Sequence, residues 1–125
     1  MIIGVGLDVC GIARMEKLLL DGRFLARFFS AEEQAYITQK GKGGAQSMAG
    51  IFAAKEALVK ALGVGITADI REIAVMHDDH GAPYYSLSGE YARLAEDRRV
   101  STFFLSITHD GGIAAAVCVA ERNVS

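Results

Sequence analysis

One segment governs what this chain can become. From Ala45 to Leu62, the residues Met48, Ile51, Phe52, Leu58 and Leu62 recur at helical spacing, and Gly63 stands where a left-handed C-cap belongs. The spacing predicts an amphipathic helix of about five turns. Around it the periodicity changes. Ile2–Asp8 reads as a short apolar strand ending in a carboxylate, and residues 12–20 (IARMEKLLL) as a helix stopped by Asp21-Gly22. Ser30-Ala31-Glu32-Glu33 is a capping box that opens a helix to about Lys40, and Gly41, Gly43 and Gly44 form a flexible link. In Ile70–Asp78, Ile70, Glu72, Ala74 and Met76 face away from Arg71, Ile73, Val75 and His77, as in a strand. Residues 78–82 make a hairpin loop, and Pro83 starts the returning strand PYYSL. A short polar helix over Gly89–Arg99 precedes strands Thr102–Thr108 and Ile113–Glu121, joined through His109-Asp110-Gly111-Gly112. The order β-α-α-α-β-β-α-β-β lacks regular βαβ alternation, so the expected class is α+β with a mostly antiparallel sheet packed by helices.

Composition decides how many such units there are. The 125 residues suit one domain over 1–125. Apolar residues make up 51% of them, which excludes a disordered polar tail and a charge-rich coiled coil. No apolar run approaches the roughly 20 residues that span a bilayer. On a matched count that adds Gly and omits Tyr, the apolar share exceeds the usual ~45–50%. Part of the excess is 19 Ala and 14 Gly. The remainder implies an oligomer, with apolar strand faces at 70–78, 102–108 and 113–121 meeting other subunits.

The net charge of −2 argues against a dedicated nucleic-acid binder. It hides a basic first half, where Arg14, Lys17, Arg23, Arg27, Lys40 and Lys42 outnumber the acids of residues 11–42. That is either a docking face for an acidic partner or ordinary solvated helix surface. Cys10 and Cys118 stand far apart in apolar surroundings and read as buried thiols of a reducing compartment. The N-terminus has no basic stretch before its strand, so the expected location is the cytoplasm.

Four polar side chains merit a chemical reading. Asp8 at a strand end and Glu56 on the long helix are the type of carboxylate pair that holds magnesium, which takes one or two protein carboxylates and substrate phosphates. Glu56 and Lys60 also form a favourable i, i+4 pair, which alone accounts for both on an exposed helix face. His109, next to the Gly111-Gly112 turn, suits a phosphate contact or a proton shuttle, though a loop histidine needs no role. Gly4-Val5-Gly6 fails as a dinucleotide loop, because Val9 stands where the third glycine belongs; close approach by a neighbouring backbone explains the glycines. His77 and His80 lack supporting ligands for a metal, and no serine has a nucleophile-elbow context.

Taken together, Gly4-Val5-Gly6-Leu7-Asp8-Val9, Phe52-Ala53-Ala54-Lys55-Glu56-Ala57 with Lys60-Ala61-Leu62-Gly63, Gly81-Ala82-Pro83 and Leu105-Ser106-Ile107-Thr108-His109 resemble the holo-acyl-carrier-protein synthase family of small phosphopantetheinyl transferases. The likeness covers nearly the whole chain, in family order. It implies the trimeric phosphopantetheinyl transferase fold. It implies transfer of 4′-phosphopantetheine from coenzyme A to a serine of apo acyl carrier protein, for fatty acid biosynthesis, leaving adenosine 3′,5′-bisphosphate. By the same resemblance Asp8 and Glu56 are magnesium ligands, Lys60 lies beside the pyrophosphate and His109 contacts the coenzyme phosphates from a neighbouring subunit. Gly63 and Pro83 fall at coenzyme-binding positions, and Arg14, Arg23, Phe24 and Arg27 at those that dock the acidic carrier. Either Glu56 or a water takes the serine proton, and the residues leave that open. A carrier of a secondary pathway, or a scaffold without useful coenzyme A affinity, are the competing readings.

Three positions depart from the family pattern. Ile51 stands where Arg is common, Ala82 where Lys is usual, and Asp110 where Thr is common. Each lowers positive potential near the phosphates. Either Lys40 or Lys42 compensates, or coenzyme A binds weakly.

Overall fold

The computed structural model describes residues 1–124. Its order is β1 (Ile2–Gly11), α1 (Ile12–Asp21), α2 (Arg23–Phe28), α3 (Ala31–Gln39), α4 (Gly44–Leu62), β2 (Ile73–His77), β3 (Pro83–Leu87), α5 (Gly89–Asp97), β4 (Thr102–Asp110) and β5 (Ile113–Glu121). β1, β5 and β4 form one antiparallel sheet in that order, and β2 and β3 a separate antiparallel hairpin. The α+β reading holds.

The local signals explain most boundaries. Ser30 Oγ accepts from the Glu33 amide at 3.2 Å while Glu33 Oε1 accepts from the Ser30 amide at 2.8 Å, the reciprocal box that starts α3. Gly63 ends α4 at φ 71°, a conformation costly for a residue with a Cβ. Four of the element assignments need correction. β1 runs on to Gly11 instead of ending at Asp8, because β5 pairs with it as far as Ile113. α2 was not expected. It has no side-chain cap and is held by tertiary packing, with Phe24 4.6 Å from Phe28 and 5.5 Å from Phe52 between ring centroids. The strand expected from Ile70 begins at Ile73, since Asp69 accepts from the Arg71 amide and closes a 3₁₀ turn over Ile70–Glu72. Finally, β4 and β5 extend to a two-residue Gly111-Gly112 turn, which puts His109 inside the ladder opposite Ala114.

α4 is central rather than amphipathic: 14 of its 19 residues are buried. Small residues let it lie against the sheet. Ala114, Ala116, Cys118 and Ala120 line the covered face of β5. On β1, a Cβ added at Gly4 would sit 1.9 Å from the Ala61 carbonyl oxygen, and one at Gly6 1.8 Å from that of Ala57. The close-approach reading of these glycines is correct. The opposite face of the same sheet is apolar and uncovered, with Val5 58%, Leu7 62%, Val9 59% and Phe104 52% exposed. The expectation placed the 70–78 strand in such a face; β1 occupies that role instead.

A buried ion pair ties the layers together. Lys55 Nζ, fully buried, donates to Glu33 Oε1 at 2.6 Å, Ile73 O at 2.6 Å and Ile70 O at 3.2 Å. Glu33 Oε2 accepts from the Val75 amide at 2.8 Å. Every strong donor and acceptor thus has a partner across α3, α4 and β2, the condition under which a buried pair is tolerated. Replacing one member strands the other, so Lys55→Met is expected to lose about 3–5 kcal/mol in urea melts. The double variant Lys55→Met/Glu33→Gln should recover part of that loss, because the neutral amide leaves no unpaired buried charge and still accepts a backbone N–H; equal destabilisation in both would contradict the pairing account.

Candidate active site

β1 and α4 cross where Gly4 and Gly6 permit contact, and this crossing brings Asp8 beside Lys60. Lys60 Nζ donates to Asp8 Oδ1 at 3.0 Å and to Leu7 O at 2.9 Å. The helix-local Glu56–Lys60 pair expected from i, i+4 spacing is not formed as an ion pair; Lys60 turns to the strand instead. Glu56 is half-buried, and its carboxyl is pushed above the usual range, first by burial and then by Asp8, with Lys60 and Arg14 pulling the other way. Burial also raises the nearby Cys10 thiol, which senses Arg14, Asp8 and Glu56. Two carboxylates and two cations therefore share one electrostatic environment.

The donor set tests the metal reading. Among the described residues no group of three or more His, Cys, Asp or Glu side chains is placed to hold a metal ion. That excludes a closed, all-protein zinc-type site there. Two hard oxygen donors fit magnesium, which takes one or two protein carboxylates and completes its shell with phosphate and water.

His109 lies elsewhere in the same chain. The Gln46 Nε2 amide stands 2.9 Å from His109 Nε2, so with the amide donating the ring carries its proton on Nδ1. Gln46 precedes Glu56 by ten residues on α4, about 15 Å of helix. One chain thus brings Asp8, Glu56 and Lys60 together and leaves His109 at the other end of α4. His109 instead lines a cavity of about 210 Å³ with Tyr36, Gln46, Ile51, His77 and Pro83. Tyr36 and His77 stack at 4.0 Å, and Lys40 Nζ lies 4.7 Å from the Tyr36 ring centre. The cavity wall contains no Lys or Arg, and Ile51 is part of it. Two wider hollows, of about 350 and 390 Å³, contain neither Asp8 nor Glu56. Donor chemistry, not size, makes the β1–α4 crossing the candidate site.

Residues 4–118 match the 4′-phosphopantetheinyl transferase superfamily. The chain belongs to that family. It is 41% identical over 122 residues to the holo-[acyl-carrier-protein] synthase of Treponema denticola, covering 97% of this chain and 99% of that protein. The crystal structure of the holo-[acyl-carrier-protein] synthase of Neisseria meningitidis is similar at a TM-score of 0.88 and 32% identity, over 98% of this chain and 100% of that one. The Helicobacter pylori enzyme, solved in complex with coenzyme A, gives a TM-score of 0.79 and 36% identity over 94% and 99%.

In this transferase fold the remaining expected residues take distinct places. Gly63 is the αL cap of α4, which by itself accounts for a glycine there. Pro83 opens β3 opposite His77 and joins the His109 cavity. Arg23 forks onto Asp21 at 2.7 and 2.8 Å on an open surface, and Arg27 lies 5.3 Å over Phe28. Arg14 covers Phe52 at 5.9 Å, which puts it between the α1–α2 surface and the carboxylates. Phe24 is partly buried in the aromatic cluster and shapes that surface from beneath. Sequence reasoning missed Gln46, 63 residues from His109, and Lys55, 22 residues from Glu33. Only the FAAKEA segment hinted at the latter.

Proposed function

We propose that this chain, as one domain over 1–125, transfers 4′-phosphopantetheine from coenzyme A to a serine hydroxyl of apo acyl carrier protein and releases adenosine 3′,5′-bisphosphate. The observation behind the proposal is the Asp8–Lys60 contact beside Glu56 at the β1–α4 crossing, in a chain of this family. The serine oxygen attacks the phosphorus that carries the pantetheine arm, and the bond from that phosphorus to the bridging oxygen breaks. Asp8 and Glu56 would hold magnesium, which when bound supplies charge neutralisation at the pyrophosphate. Lys60 provides a positive donor to phosphate oxygens. Glu56 or a water would take the serine proton.

Two observations support a homotrimer with sites between subunits. The face of Val5, Leu7, Val9 and Phe104 is apolar and uncovered, and His109 is held at Gln46, about 15 Å of helix from Glu56. A neighbour's His109 would complete each site. Arg14, Arg23 and Arg27 would meet the acidic carrier, with Phe24 beneath them. Among the described residues no helix is long and apolar enough to cross a membrane, and both cysteines are free and buried, which suits a cytoplasmic protein.

Of the two lysines expected to compensate for Ile51 and Ala82, Lys40 has the better position, folded over Tyr36 at the cavity edge. By calorimetry Lys40→Ala should weaken coenzyme A by about fivefold, the scale of one partly exposed charge contact. Lys42→Ala should leave affinity unchanged. Equal values for both variants and the parent would dispose of the compensation. The function itself is tested by intact mass: apo carrier protein with coenzyme A and magnesium should gain one phosphopantetheine. No gain across several carriers would favour a scaffold.

A further inference from the structure

Lys60 occupies one oxygen of the carboxylate that a divalent cation would need. Its ammonium donates to Asp8 Oδ1 and to Leu7 O, while Glu56, one turn back on the same helix, is left without an ion-pair partner. The Asp8 side chain is 18% exposed, so its charge is poorly served by water, and a second carboxylate stands nearby. Without a metal, an internal cation lowers that cost. The Lys60 side chain is 53% exposed on a flexible stem and is able to swing away.

A metal reaching Asp8 either displaces the ammonium or binds the second carboxylate oxygen, Oδ2, beside a cation that repels it. Displacement costs Lys60 two hydrogen bonds, and a pyrophosphate beside the metal offers replacement acceptors. We propose that Lys60 is an exchangeable counter-ion of Asp8 whose transfer to the pyrophosphate couples metal binding to coenzyme binding. This rests on the transferase reading and adds a mechanism of assembly to it. Coupling of this kind is reciprocal: coenzyme A tightens the metal by the factor by which the metal tightens coenzyme A. Direct metal–phosphate contact contributes a further part that does not depend on Lys60.

The test measures binding with no carrier protein present, so no turnover occurs. Free Mn²⁺ is followed by electron paramagnetic resonance during titration of the whole protein, with and without saturating coenzyme A. Lys60→Met should bind Mn²⁺ alone about five- to tenfold more tightly than the parent, within the ordinary range of coupling energies. With coenzyme A present the two proteins should differ by less, so the coupling factor falls in the variant. Lys60→Gln serves as the second variant if Lys60→Met does not fold. Unchanged or weaker Mn²⁺ binding by the variant alone would overturn the proposal. So would tightening by the same factor with and without coenzyme A, which is the signature of simple charge repulsion. A parent protein that fails to bind Mn²⁺ even with coenzyme A would overturn the metal reading and this proposal with it; the first two outcomes leave that reading standing.

Discussion

Glu56→Gln should reduce turnover by about 10³-fold or more, since on the proposed reading it removes a metal-binding oxygen charge and a candidate proton acceptor. The fold should survive. Glu56 is only half-buried and forms no ion pair in the structure, so the neutral amide loses little packing and relieves repulsion from Asp8. Thermal melts should therefore show an unchanged or slightly raised midpoint. The pH dependence follows from the same shift. Because Glu56 titrates above the usual carboxylate range, the free protein should lose its ionised form earlier on acidification than an ordinary glutamate does. The sign for stability is opposite. A carboxyl raised by folding favours the folded state below its unfolded value, and that contribution is lost as pH rises through the folded one. Carboxyl carbon NMR on the metal-free protein reads this directly. Activity of Glu56→Gln near that of the parent, with magnesium saturating, would remove Glu56 from the mechanism.

Gly6→Ala is expected to be the most damaging substitution of a single small residue. The added methyl would lie 1.8 Å from the Ala57 carbonyl oxygen and 2.8 Å from the Ala61 amide nitrogen, both backbone atoms of a buried helix. Neither can rotate away, so strand and helix must separate. Such overpacking should cost about 4 kcal/mol or more, at the extreme of single-residue effects. It would also carry Asp8, two residues along, away from Lys60. Gly11→Ala is the control in the same strand, because its methyl meets nothing closer than 4.0 Å. Urea melts should separate the two variants clearly. A loss below about 1 kcal/mol for Gly6→Ala would mean that the crossing is looser than described.

The elements on either side of this crossing are legible in the sequence. The helix over 45–62, its Gly63 cap, the Ser30 box and the close-packed glycines are local signals, each tied to a backbone conformation or a periodicity. What stayed hidden is what depends on distant partners. α2 has no cap or turn signature and exists because Phe24 and Phe28 pack on Phe52. Lys60 looked like a helix-surface partner of Glu56, yet its real partner is 52 residues away. Gln46 carries no motif, and its contact with His109 appears only once β4 is seen to run past Thr108. Asp8 and Glu56 were separately plausible from residue type. Their joint role came from resemblance, since spacing along a chain does not reveal which strand a helix crosses.

The shared site is the most exposed part of the account. Glu56→Gln and His109→Ala are each expected to be inactive, for different reasons and from different subunits. Co-expressed in equal amounts they should assemble at random, leaving about a quarter of the sites with an intact Glu56 from one subunit and an intact His109 from the next. Phosphopantetheine gain on apo carrier protein, followed by intact mass, should then return to about that fraction of the parent's rate. A mixture no more active than either variant alone would contradict a site built from two subunits.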